Sequence, residues 1–444
     1  METHAQETLD LFESCLAQLE SRISDFVVTP GKDFTRHRIL DVRTIVQLLL
    51  SFEGKTLNNE VIDFFIDKNR ISSRIPSVSA FVQQRSKLKY EAFYHLFRLF
   101  QKEPSEDQLF KGFRLLAVDG TGLNIAGNKN DPESRHPGIG GKEPFNEIYI
   151  HALFDILQNS YVDLSIAKLH KNNEPRVFVD MLQRFASPLP AIFFGDANYG
   201  TFNIMAHIQN IHQKFLFRTK DVTSNGAASS FLLPDSDTFD ICLPDLMLTR
   251  LCSEAHNEDK NRVHYLTRAS VFDFLSTRTK ENKSQYFHLP LRIVRFPIAE
   301  GKCETIFTNL DPIAFPLPLI KKLYSLRWGI ETSFRRLKHT IGLLYTHSKK
   351  ADFLYQEIFA KAILYNFVSF CSASVLRQKG KKGYFYTVNF SIAVNLCKKF
   401  LLNTINLLKL EENIFRCMNP IRPSKSFERK KHQRAFKSFM YRLA

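Results

Sequence analysis

The sequence predicts an α/β chain with helical regions at both ends and a β-rich stretch late in its middle. Three observations predict it. Apolar residues recur at three- and four-residue spacing over residues 1 to about 105 and again over 350–415, which is the period of helices with one buried face. Between these regions, short apolar runs that stop at turn residues alternate with helical patterns, as strands and helices alternate in an α/β sheet. From 213 to 315 the runs are short, strand-like and separated by charged linkers.

Taken in order, "AQETLDLFESCLAQLESRI" and "YEAFYHLFRLFQ" read as N-terminal helices. "RIPSVSAFVQQRSKLKY" (74–90) reads as a basic helix start after a Pro and a Ser. Its Gln83, Gln84 and Arg85 are residue types that touch DNA, although a solvated helix face uses the same residues. "FRLLAVDG" (113–120) is a buried strand ending in a turn, and the Gly-rich "GNKNDPESRHPGIGGKEP" (127–144) is a loop. "IYIHALFDI" and "YVDLSIAKL" form two strands around "LQNS". A helix at 174–186, the strand of "PAIFFGDANYG" (190–200) and a helix at "FNIMAHIQNIH" follow. After the β-rich stretch a long helix starts with Pro318 in its first turn, where Pro is tolerated. The tail "RPSKSFERKKHQRAFKSFMYR" (422–442) is basic, either a solvated end or a non-specific DNA contact. These textures suggest a helical region over 1–105, a core over 106–212 and 316–375, a β-rich unit over 213–315 and a helical C-terminal region over 376–444.

The chain has 444 residues, with 61 Lys and Arg against 45 Asp and Glu, a net charge of +16. Such an excess points to a polyanionic partner, most often nucleic acid. A membrane is not expected, because the longest apolar runs, such as "TIVQLLLSF" (44–52), fall far short of the roughly 20 residues of a span. The start "METHAQETLDLFES" is acidic where a signal peptide is basic. The seven cysteines are scattered without a CxxC pair, which reads as a reduced, cytosolic chain without a zinc knuckle. The 14 His residues show no tight ligand spacing. A bound metal would therefore take oxygen ligands.

The most informative segment is "YSLRWGIETSFRRLK" (324–338), which holds a single acid, Glu331, among Arg327, Arg335, Arg336 and Lys338. At 100° per residue, Tyr324, Arg327, Glu331 and Lys338 share an arc of about 60°. Leu323, Leu326, Ile330, Phe334, Leu337, Ile341 and Leu344 make the adjacent apolar face. The polar row therefore lies at the margin of the core, where the floor of a site would be. Glu331 could be a surface ion pair with Arg327 or Arg335. It could also be one of several carboxylates that hold divalent cations, with Arg327 and Lys338 gripping phosphates. Tyr324 suits a phosphate hydrogen bond or a stacked base. Asp119 and Asp196 are the partner carboxylates, since each ends an apolar strand-like run before a turn. Asp155, Asp163 and Asp180 read as structural or solvated.

Tyr324, Arg327, Glu331 and Lys338 fit Y-x2-R-x3-E-x6-K, and with them the chain resembles the insertion-sequence-four group of bacterial DDE transposases. "DGT" (119–121) and "GDANYG" (195–200) resemble the motifs around that family's first and second catalytic Asp. "PSVSAFVQQRSKL" and "RPSKSFERKK" are similar to its N-terminal segment and basic tail. Ala197 and Asn198 stand where the family often has Arg and usually has Gly, and the sole Trp, Trp328, lies inside the signature.

The resemblance implies a ribonuclease-H-like catalytic core with Asp119, Asp196 and Glu331 as catalytic residues and metal ligands. It further implies an all-β insertion domain between the second and third acid. The 135 residues separating Asp196 from Glu331 agree with an insertion, since a strand–helix unit takes only about 30. It also implies two Mg²⁺ ions, for which Mn²⁺ can substitute, and Tyr324, Arg327 and Lys338 as DNA-binding residues. The expected partners are double-stranded DNA at element ends and target, and a second copy in a synaptic homodimer. The expected location is the cytoplasm, at the bacterial nucleoid. The expected reaction is hydrolysis of the strand at the element end, then attack of the freed 3′-OH on target DNA. A metal-dependent nuclease without strand transfer and a retired DNA-binding protein are the alternatives.

Overall fold

The computed structural model describes residues 4–36, 38–67, 75–138, 143–224, 226–251, 259–277, 285–346, 348–373 and 385–421. The basic tail over 422–442 lies outside the described residues. The N-terminal helices are α1 (His4–Ser21), α2 (Val42–Ser51), α3 (Leu57–Asp67), α4 (Val78–Arg85) and α5 (Glu91–Leu99). Local chemistry sets their starts. Asp41 accepts from the Thr44 N–H at 2.7 Å, and Ser77 from that of Ala80 at 3.2 Å, so each caps a donor that the first turn leaves open.

Strands β1 (Arg114–Ile125), β2 (Arg135–His136), β3 (Phe145–Asp155) and β4 (Ser160–Lys168) precede α6 (Glu174–Arg184), β5 (Ala191–Gly195), α7 (Phe202–Asn210) and β6 (Lys214–Thr219). Next come β7 (Phe239–Leu243), β8 (Met247–Thr249), β9 (Val263–Tyr265), β10 (Phe287–His288), β11 (Leu291–Ala299) and β12 (Lys302–Thr308). The remaining elements are α8 (Leu317–Leu326), α9 (Trp328–Arg335), a π-helical turn (Arg336–Thr340), α10 (Ala351–Cys371), β13 (Tyr386–Thr387), α11 (Phe390–Leu401), α12 (Leu407–Arg416) and β14 (Asn419–Pro420).

The result is a mixed α/β fold around one nine-stranded sheet. Its order is β2-β3-β1-β5-β6-β12-β11-β7, with β4 also on β3. β1 runs parallel to β5 and β5 to β6, whereas β3 and β4 run antiparallel to their neighbours. The stretch 213–315 is rich in strands, as its sequence suggests, but β6, β7, β11 and β12 hydrogen-bond into the central sheet. Among the described residues of this stretch, β8, β9 and β10 form a small sheet apart.

Alternation along β1 sorts the core into two layers. Leu115, Ala117 and Leu123 join one apolar cluster with α8, α9 and α10, while Leu116 and Val118 join another with α6 and α7. The first cluster runs on from Phe12 of α1 to Ile414 of α12, so the terminal helices share a core with the sheet. At its centre is α10, buried along almost its whole length, with Gln356, Glu357, Lys361 and Asn366 buried among its apolar residues. No helix among the described residues is long and apolar enough to cross a membrane. Leu364 of α10 is fully buried, and its replacement by Ala is expected to cost about 2–5 kcal/mol. The check is a lower urea midpoint at an unchanged slope.

Two element boundaries differ from the sequence reading. β1 does not stop at "DG" but pairs with β3 from Leu116 to Ile125, because that antiparallel ladder carries Gly120 and Gly122 along as extended residues. The expected long helix is broken into α8, α9 and the π turn. At the first break the Arg327 N–H bonds the Tyr324 carbonyl, three residues back, a tighter turn than the α-helix makes.

Candidate active site

The parallel pairing of β1 and β5 places two acids side by side. Ala117 pairs with Phe194, and Asp119 and Asp196 each lie two residues further on. Neighbouring strands are about 4.8 Å apart, so the two carboxyls leave the sheet next to each other. Asp196 follows the end of β5, as expected, and its carboxylate accepts from the Asn198 N–H at 2.8 Å. Asp119 sits mid-strand instead of at a strand end, and accepts from the Gly120 N–H at 2.8 Å.

Glu331 arrives from α9, which packs on β1. It accepts from Arg327 Nη2 at 2.9 Å, while Arg327 Nη1 stands 3.9 Å from Asp119 Oδ2. The guanidinium thus lies between two carboxylates and neutralises part of their charge. Burial pushes the Asp119 carboxyl up to about 6; the Gly120 N–H and Arg327 oppose this, and Asp196 and Glu331 add to it. Crowded carboxylates with hard oxygen donors suit a divalent cation. Among the described residues, no three His, Cys, Asp or Glu side chains already stand as a formed cation cage.

The remaining signature residues surround these acids. Tyr324 is buried, its hydroxyl has no hydrogen-bond partner, and burial pushes that hydroxyl up to about 12. Arg327 is only 6 % exposed and its Nε also lacks a partner. Its guanidinium carbon sits 5.9 Å from the Tyr324 ring centre and 5.2 Å from that of Trp328, at cation–π range. Trp328 itself is 46 % exposed. Lys338 donates to Thr121 Oγ1 and to the Gly122 carbonyl, each at 2.6 Å. The π turn that carries it therefore fastens to β1 just past Asp119.

Three acids set aside in the sequence are held structurally. Asp155 pairs with Arg114, Asp163 with Arg184, and Asp180 with Arg176 on the surface. The DNA-contact option for Gln84 and Arg85 fails, since both are buried, and Arg85 bonds Gln356, Glu357 and the Phe353 carbonyl. Only Gln83 of the three is exposed. Arg218 lies close enough to Tyr324 to act on its hydroxyl electrostatically, and Lys220 is exposed.

The sequence does not single out Glu174 and His151, which stand beside Gly120. Glu174 opens α6 after the capping Asn173, a position where an acid ordinarily serves the helix dipole. Its nearness to Gly120 and Asp196 follows from sheet order alone.

Residues 111–367, more than half of the chain, match the family model described as the transposase DDE domain. No curated protein matches the chain. Among solved structures, a cryo-EM structure of a piggyBac transposase synaptic complex with hairpin DNA aligns at 12% identity and a TM-score of 0.43. The alignment covers 95% of this chain and 87% of that one.

Proposed function

This chain belongs to the transposase DDE domain family, and from that premise we propose that it cuts the ends of its own insertion sequence and joins them to target DNA. The observation that carries the proposal is that Asp119 and Glu331 share the Arg327 guanidinium while Asp196, just past the end of the parallel neighbouring strand, stands beside Asp119. The Y-x2-R-x3-E-x6-K spacing supports placing it in the insertion-sequence-four group. The run β4-β3-β1-β5-β6, antiparallel then parallel, supports a ribonuclease-H-like core, with an insertion between β6 and α8.

In this reading Asp119, Asp196 and Glu331 hold divalent cations, Mg²⁺ or Mn²⁺. When bound, these supply Lewis acidity to the phosphodiester and its attacking oxygen. The chain's own residues grip and align the strand. Arg327 and Tyr324 each present a buried polar atom with no internal partner, as a phosphate site does before its anion arrives. Lys338 adds fixed positive charge beside β1. In the first step water attacks phosphorus at the element end, and the P–O3′ bond breaks to leave a 3′-OH on the element and a 5′-phosphate on the flank. In the second that 3′-OH attacks a target phosphorus and displaces the target's own 3′ oxygen. A homodimer in the cytoplasm would bring two element ends together.

Purified protein with Mg²⁺ and duplex DNA from the borders of its own gene tests this reading beside Glu331→Gln. Nicking at the element end and joining to plasmid are expected of wild type, with binding alone from the variant. Nicking without joining would make the chain a nuclease. Equal binding by both with no cutting would make it a DNA-binding relic.

A further inference from the structure

Glu174 comes from the opposite face of the sheet to Glu331. Asp119 follows Leu115 and Ala117 in the β1 alternation and so faces the α9 layer, whereas Gly120 follows Leu116 and Val118 toward α6. At Gly120 the sheet has a gap. A Cβ there would lie 2.9 Å from His151 Nδ1 and 3.3 Å from Glu174 Oε1. The carboxylate rests in the space that a side chain would fill, one residue from Asp119. Burial raises its pKa, the Asn198 side chain at 3.4 Å opposes this, and the Asp196 charge adds to it.

Two buried polar atoms beside this carboxylate have no partner. His151 is 1 % exposed; its Nε2 is taken by Asn172 Oδ1 at 2.7 Å, and its Nδ1 meets nothing. The Tyr199 hydroxyl is likewise buried and unpaired, and it feels the charges of Glu174, Asp119 and Asp196. Buried polar atoms are nearly always satisfied. A hydrated ion at this spot would satisfy both and offset the crowding of negative charge.

We propose that Glu174, reaching past Gly120, is a fourth carboxylate of the cation site and strengthens divalent-cation binding by Asp119 and Asp196. The inference rests on the cation reading of those two acids. The test is Mn²⁺ titration of DNA-free full-length protein, with free Mn²⁺ read by electron paramagnetic resonance. Wild type, Glu174→Gln and Asp119→Asn are compared, and melting curves without metal show that each is folded. Glu174→Gln is expected to raise the Kd about 10-fold, the scale of losing a group that supports the ligands, and Asp119→Asn to abolish binding. An unchanged Kd in Glu174→Gln with binding lost in Asp119→Asn would overturn the role of Glu174 and leave the cation site standing. Wild-type affinity in Asp119→Asn, or no binding by wild type, would overturn both.

Discussion

Asp119→Asn is expected to lose strand cleavage by a factor on the order of 10³ or more, the scale of removing a group that stabilises the transition state, while folding more stably at neutral pH. The two effects share a cause. Burial and two neighbouring carboxylates raise the Asp119 pKa to about 6 from the usual 3.8, so the folded protein holds this proton more tightly than the unfolded chain. Below about pH 4 both states are protonated and the group costs nothing. As pH climbs from about 4 to 6 the folded state must give up a proton that it favours, and stability falls by about 2–3 kcal/mol. The Asn variant lacks that fall. Urea midpoints of both proteins across pH 4–7 without metal check it, and parallel curves would refute it. Mg²⁺ at neutral pH should narrow the gap by stabilising only the wild type. Under the proposed function, the arrangement is a local cost that cation binding requires.

Arg85→Ala is expected to destabilise the fold by about 3–5 kcal/mol, the range for one partner lost from a buried ion pair. Arg85 bonds Gln356 at 2.7 Å, Glu357 at 3.0 Å and the Phe353 carbonyl at 2.6 Å, and stacks 4.5 Å from the Phe353 ring centre. Both Arg85 and Glu357 are almost fully buried, so truncation takes from a buried carboxylate its 3.0 Å guanidinium partner. It also unfastens α4 from α10, and hence part of the N-terminal region from the shared core. A drop in urea midpoint measures this. Exposed Gln83, two residues earlier on the same helix, should change stability by less than about 0.5 kcal/mol when replaced by Ala. If the two variants behave alike, the anchoring role is wrong.

Much of this protein was legible in its residues. Helical ends, the alternation of strands and helices through the middle, and the strand-rich stretch before Pro318 all follow from apolar periodicity, a local property. Asp196 at the end of an apolar run was legible for the same reason, as was the alignment of Arg327 with Glu331 four residues on, now a 2.9 Å contact. Asp119 was legible as a candidate, but the strand that carries it was misjudged, because Gly-rich sequence resembles a turn until a partner strand extends it. Arg85 was misjudged because a positive charge reads as solvated unless its distant partners, Gln356 and Glu357, are known.

By itself, then, the sequence determined the kinds of element, the basic character of the chain and the spacing of Arg327, Glu331 and Lys338, since each depends on neighbours a few residues apart. The tertiary structure alone decided that β6, β7, β11 and β12 extend the central sheet, that Lys338 ties its π turn to β1, and that Glu174 comes to rest beside Gly120 within reach of the Asp196 charge. Those contacts join residues tens to hundreds of positions apart, and they are selected by strand order and burial, which no local window of sequence contains.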